Sequence, residues 1–279
     1  MKYCYLIGYP VEHSMSPLMH NAAFREMGID YSYSLKSVEP GSLEYAVNHL
    51  RAPEVIGANV TIPYKSDVMV YLDYITTEAE DIGAVNAIVK KDDELVGANT
   101  DASGGVKALE EEYDRLETAK VIIIGAGGAS KALSYNLASK VKKLTILNRT
   151  ETKSSELARY LTEKLDRMVL SGGLDDLQKH VKEADILINA TPLGMKPVYD
   201  ISPIPAEYLH KDLMVYDLVY NPMETKLLRD AKQKGARVLS GVKMLVYQGA
   251  LAYEMWTGLK PPVNLMLKVV QEALRGDTS

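Results

Sequence analysis

Cysteine, phenylalanine and tryptophan occur once each among the 279 residues, and the aromatic content is mostly tyrosine, with 18 residues. The single thiol, Cys4, excludes an intramolecular disulfide and any zinc site built from several thiolates. It lies in the apolar run Tyr3-Cys4-Tyr5-Leu6-Ile7, where a buried, unreactive thiol is expected. No apolar stretch approaches the roughly 18–20 residues that span a bilayer. The first apolar run gives way to Glu12-His13-Ser14, too early for the core of a signal peptide. Positive charge is in deficit: 32 Lys and Arg face 37 Asp and Glu, a net charge of -5. Neither nucleic acid nor an anionic membrane is therefore expected as the main partner. His13 and His20 find no third ligand nearby, so no metal is expected. A soluble, cytoplasmic protein is the expectation.

What the chain does have is rhythm. Short aliphatic runs alternate with longer helical patterns, which implies βαβ units and parallel sheet. Strands are predicted at 3–8, 31–35, 55–60, 86–90 and 94–98, then at 120–124, 143–147, 185–189, 213–217 and 237–239. Ser16 followed by Pro17 reads as a helix cap with proline in the first turn, and Gly28 closes that helix. Helices are predicted near 128–140, 151–164 and 223–234, which makes the second half doubly wound. Two further helices, 242–257 and 263–275, end the chain.

The strongest local signal is Val121-Ile122-Ile123-Ile124-Gly125-Ala126-Gly127-Gly128-Ala129-Ser130. A buried strand runs through glycines into a helix, so backbone N–H groups and the helix dipole can meet a pyrophosphate. About 23 residues beyond Gly125 comes Asn148-Arg149-Thr150, with Lys153 soon after. NAD enzymes usually carry an acid there for the ribose hydroxyls; a guanidinium instead suits a 2′-phosphate. NADP is therefore expected, although a solvated basic helix start would look the same. Asn189-Ala190-Thr191-Pro192-Leu193-Gly194-Met195 follows another strand, either along the cofactor or as a plain Thr-Pro turn.

Four segments of the first hundred residues each join a strand end to a helix or turn. They run from Gly8 to Asn21, from Gly57 to Lys65 (Gly-Ala-Asn-Val-Thr-Ile-Pro-Tyr-Lys), Gly83-Ala84-Val85-Asn86, and Gly97-Ala98-Asn99-Thr100-Asp101. With Asp217-Leu218-Val219-Tyr220-Asn221-Pro222 and the segment from Gly241 to Gln248, they resemble the signature segments of the shikimate dehydrogenase family. Two departures are small: Ala87 where the family often has Thr, and Ala102 where Gly is common.

The resemblance implies an α/β chain of two domains. One is an α/β substrate-binding catalytic domain of residues 1–101 plus 241–279. The other is a doubly wound Rossmann-type NADP-binding domain of residues 102–240. It implies reversible NADPH-dependent reduction of 3-dehydroshikimate to shikimate, a step of aromatic amino-acid biosynthesis, and leaves homodimerisation open. Lys65 and Asp101 would be the catalytic pair. Substrate contacts would come from Ser14, Ser16, Thr61, Asn86, Tyr220 and Gln248. Cofactor contacts would come from Gly125, Ala126, Gly127, Gly128, Ala129, Asn148, Arg149, Thr150 and Lys153, with backbone at Leu218 and Gly241. Taken singly, Lys65 also reads as a surface residue at a helix start and Asp101 as a helix cap. An NAD-using quinate/shikimate dehydrogenase and a non-catalytic nucleotide-sensing relative are the competing readings.

Overall fold

The computed structural model describes residues 1–196 and 198–276. In chain order its first elements are β1 (Lys2–Gly8), α1 (Ser16–Glu26), β2 (Tyr31–Ser37), α2 (Leu43–His49), β3 (Val55–Val60), β4 (Tyr74–Ile75) and α3 (Thr77–Ile82). Then come β5 (Ala87–Lys91), β6 (Glu94–Ala98), α4 (Asp101–Glu110), β7 (Lys120–Ile124), α5 (Gly128–Ala138) and β8 (Lys143–Leu147). The rest are α6 (Glu151–Leu165), β9 (Val169–Gly172), α7 (Leu177–Glu183), β10 (Ile186–Asn189), β11 (Met214–Asp217), α8 (Lys226–Gln233), β12 (Arg237–Ser240), α9 (Val242–Thr257) and α10 (Val263–Gly276). None of the described helices is long and apolar enough to cross a membrane.

Contacts divide the chain into two units, Met1–Gly104 with Val246–Ala273, and Gly105–Leu245 with the stretch from Leu274. Residues 102–104 thus group with the first unit and 241–245 with the second. Both changes fall inside continuous helices, α4 and α9, whose sequence pattern carries no break to mark them.

The first unit holds a six-stranded sheet in the order β2-β1-β3-β5-β6-β4. β1 runs parallel to β2 and β3, but β5 runs antiparallel to β3 and β6. The sheet is therefore mixed, where strand rhythm alone implied a parallel one. The reversal comes from Asp92 and Asp93, both at positive φ (47° and 70°), which make a two-residue hairpin turn without the glycine that usually announces it. One face of the sheet packs Ile7, Val60, Ile88 and Leu95 against Leu43 and Val47 of α2. The sole Phe and sole Trp both pack on His20, with ring centroids 6.3 Å away for Phe24 and 5.2 Å for Trp256. The Trp256 indole donates to the Ile88 carbonyl at 2.9 Å across Gly57, where a Cβ would meet the indole nitrogen at 2.4 Å. Cys4 is fully buried, and burial raises its thiol pKa well above the usual value, as expected of an unreactive thiol.

The second unit is a fully parallel six-stranded sheet, β12-β11-β10-β7-β8-β9. Strands β10 and β11 are buried along their whole length, as sheets covered on both faces require. The strand order reverses between β10 and β7, which is where open α/β sheets take their ligands. β4, β9 and α7 have no counterpart among the predicted elements. β4 is two residues long, and β9 ends in Ser171-Gly172, which reads as a turn.

Candidate active site

The antiparallel placement of β5 builds the first unit's site. Ser14 and Ser16 follow the C-terminal end of β1, Thr61 follows β3, and Asp101 follows β6. Asn86 precedes β5, and because β5 runs the other way its start lies at that same edge, with the Asn86 carbonyl accepting from Val60 N at 2.9 Å. A parallel β5 would have put Asn86 at the opposite end.

Lys65 Nζ donates to Asp101 Oδ2 at 2.6 Å, with the two side chains 29% and 12% exposed. This is a short, charge-assisted contact whose ammonium still reaches solvent. Lys65 stands in a turn ahead of a 3₁₀ helix at Asp67–Tyr71, not at the start of an α-helix as expected. The alternative of Asp101 as a helix cap fails, because Asn99 Oδ1 accepts the Ala102 amide at 3.1 Å and takes that role. The Asp101 carboxylate is thereby left to the ammonium.

Beside this pair, Asn86 is 2% exposed and held by its neighbours. Its Oδ1 accepts from Thr100 N at 2.6 Å, and its Nδ2 donates to Thr100 Oγ1 at 3.0 Å and Gln248 Oε1 at 3.3 Å. Gln248 comes from α9 at 9% exposure. Gly104 allows that helix its approach, since a Cβ there would sit 2.6 Å from Gln248 N. Ser16 is not the cap of α1: Met15 occupies that position, and the Ser16 amide donates to Ser14 Oγ at 3.2 Å. Gly28, at φ +64°, ends that helix as expected. Thr61 is half-buried, its amide bonded to the Ile7 carbonyl at 2.8 Å. The set offers a cation, a carboxylate, three hydroxyls and two amides, which suits a small anion rich in hydroxyl groups. Tyr220 lies in the second unit after β11, half-buried, its hydroxyl pKa raised by burial.

In the second unit β7 runs through Gly125 into α5. Gly125 is at φ +112°, a backbone other residues rarely adopt, and a Cβ there would stand 3.0 Å from the Ala190 carbonyl. Gly127 precedes the helix and offers no side-chain cap to the first amides of α5. A Cβ at Gly127 or Gly128 would meet nothing within 4 Å, and Ala126 and Ala129 flank them. Such a turn fits a diphosphate. Asn148 follows β8 and donates to the Thr150 carbonyl at 2.9 Å, leaving Arg149, Thr150 and Lys153 exposed at the same strand end. Leu218 and Gly241 are backbone neighbours, since a Cβ on Gly241 would fall 2.1 Å from the Leu218 carbonyl.

Sequence reasoning missed the residues behind these. Tyr33 donates to Asn59 Oδ1 at 2.9 Å, and Asn59 Nδ2 holds the Asn86 carbonyl at 3.0 Å. Thr100 and Asn99 orient Asn86 and free Asp101. Asn59 and Asn99 lie inside the motifs described above, and their place beside a strand end is the only signal; Tyr33 gives none.

The chain matches the family models for the shikimate dehydrogenase substrate binding domain at residues 6–88, shikimate / quinate 5-dehydrogenase at 107–200, and the shikimate 5′-dehydrogenase C-terminal domain at 241–271. It is 46% identical to the shikimate dehydrogenase (NADP(+)) of Methanocaldococcus jannaschii, over 95% of this chain and 94% of that one. A crystal structure of a shikimate dehydrogenase in complex with NADP+ superimposes with a TM-score of 0.94 at 44% identity, covering 98% of this chain and 96% of the other. The shikimate 5-dehydrogenase of Thermus thermophilus, solved with NADP(H) and shikimate, gives 0.89 at 34% identity, covering 98% and 100%. This chain belongs to the shikimate dehydrogenase family.

Proposed function

We propose that this protein is an NADP-dependent shikimate dehydrogenase that reversibly reduces 3-dehydroshikimate to shikimate. The observation that carries the reading is the Lys65–Asp101 pair, 2.6 Å apart at the strand edge that also collects Ser14, Ser16, Thr61, Asn86 and Gln248. Reducing a ring ketone places negative charge on its oxygen, so a cation that can also give a proton is needed there. Lys65 supplies both: it donates the proton during reduction and takes it back in the reverse direction, while Asp101 holds the ammonium in place. Ser14 and Ser16 receive the substrate carboxylate near the start of α1, and Thr61, Asn86, Gln248 and Tyr220 bond the ring hydroxyls.

When bound, NADPH supplies the hydride. Gly125, Ala126, Gly127, Gly128 and Ala129 present backbone amides to its diphosphate. Arg149, with Asn148, Thr150 and Lys153, holds the 2′-phosphate, and the backbone at Leu218 and Gly241 borders the nicotinamide. We read residues 1–101 plus 241–279 as the substrate part, 102–240 as the NADP part, and the cytoplasm as the place of action.

The experiment is a spectrophotometric assay of NADP reduction with shikimate, run beside quinate and beside NAD. Shikimate with NADP is expected to be the fastest combination. Faster turnover of quinate with NAD would assign the chain to that activity instead, and no turnover with intact binding of both ligands would leave a sensor.

A further inference from the structure

One carboxylate deep in the second unit has no part in the chemistry above. Asp217 ends β11 at 0% exposure. Its Oδ1 accepts from Asn189 Nδ2 at 2.9 Å and from Val219 N at 3.1 Å, and its Oδ2 accepts from Thr225 Oγ1 at 2.6 Å. Asn189 ends the neighbouring strand β10, also fully buried. Asn189 Oδ1 in turn accepts from Thr191 N at 3.0 Å and Thr191 Oγ1 at 2.7 Å, while Nδ2 also reaches the Leu193 carbonyl at 3.3 Å. Thr225 caps α8 by accepting from Leu228 N. One side chain therefore ties down the segment after β10, the segment after β11 and the start of a helix.

Those two segments matter because of where they stand. The strand order reverses between β7 and β10, and dinucleotides lie across such a reversal. The adenosine half goes toward β8, the strand that leads to Arg149, so the nicotinamide half goes over β10 and β11. The segment after β10 also abuts the glycine turn, because the Ala190 carbonyl is what a Cβ on Gly125 would meet. A buried carboxylate is a costly way to fasten loops, since apolar packing of the same shape is often as stable or more so. Three directed acceptor bonds are what apolar packing cannot supply.

We propose that Asp217 is a positioning residue that sets the nicotinamide-side rim through Asn189, Thr191 and Val219, so that binding of the nicotinamide half of NADP depends on a side chain that does not touch it. The inference rests on the NADP reading of this unit. Its test compares NADP with 2′,5′-ADP, which keeps the phosphate-bearing half and lacks the nicotinamide, by calorimetric titration of wild type, Asp217→Ala and Asp217→Asn. Asp217→Ala is expected to weaken NADP by about tenfold or more and to lower kcat, with 2′,5′-ADP affinity within about twofold. Asp217→Asn, which keeps an acceptor for Asn189 and Val219, is expected to lose about threefold and to recover part of the turnover. If the alanine variant does not fold, the asparagine variant decides by the same criterion. Equal losses for the two nucleotides, or none for NADP, would overturn the proposal while leaving the NADP reading in place. A wild-type protein that binds neither nucleotide would overturn both.

Discussion

The two sheets prepare for their ligands in opposite ways. In the first unit the functional side chains are buried or half-buried, and several bond one another: Asn86 to Thr100 and Gln248, Lys65 to Asp101. In the second the ligand-facing groups are backbone and open surface, a glycine turn with no side-chain cap and an exposed Arg149. The difference follows what each ligand needs. A small ring must be held with its reacting carbon in one place, which takes side chains already locked by their neighbours. A diphosphate is bound by many weak donors, and unpaired amides at a helix start supply them without any ordering of side chains.

The sharpest way to break this comparison is to remove the ammonium. Lys65→Ala is expected to cut turnover by about 10²–10⁴-fold while NADP affinity stays within about twofold, read by steady-state kinetics and nucleotide titration. Near-normal turnover would remove Lys65 from the chemistry, and a parallel loss of NADP binding would erase the division of labour. Next in size, Arg149→Ala should weaken NADP by ~10–100-fold and NAD by less than about twofold. Equal losses for the two coenzymes would show that Arg149 does not read the 2′-phosphate.

The smallest effect concerns buried groups that titrate in opposite senses. Burial pushes the His20 pKa down to about 3, and neither ring nitrogen has a hydrogen-bond partner. Its folded pKa lies below its unfolded value of ~6.5, so its stability contribution is present above that pH and is lost as pH falls from ~6.5 toward 3. Burial pushes Asp217 up to about 6, with its hydrogen bonds opposing the shift. Its contribution is present below the unfolded value of ~3.9 and fades as pH rises through about 6. Comparing wild type with His20→Phe cancels the Asp217 part. Between pH 7 and 5 the wild type should lose on the order of 2 kcal/mol more than the variant, a few degrees in Tm by calorimetry. Parallel Tm curves for the two proteins would show that His20 takes up its proton in the folded state.

Much of this was legible in the sequence where pattern and chemistry coincide. The run Val121-Ile122-Ile123-Ile124 followed by glycines marked strand, turn and helix, and β3, β6, β7 and β8 lie where the aliphatic runs put them. The pairing direction of β5 was not legible, because the Asp92-Asp93 turn lacks glycine and strand periodicity says nothing of direction. The same limit hid why Asn86 reaches the site, since its place depends on that reversal. Capping was misread at Ser16, and at Asp101 the cap was only the alternative to the catalytic reading. Ser16 yields the cap position to Met15, and at the start of α4 it is Asn99, not Asp101, whose side chain accepts a first-turn amide. The Asp217 hub joins residues 189, 217 and 225, which only the sheet brings together.

The central claim is that Lys65 and Asp101 act as one unit, and the turnover of the Lys65→Ala/Asp101→Asn double variant, measured beside both single variants at saturating shikimate and NADP, tests it most directly. A double variant within about threefold of Lys65→Ala alone is the predicted result, because the carboxylate acts through the ammonium. Losses that multiply across the two substitutions would contradict it.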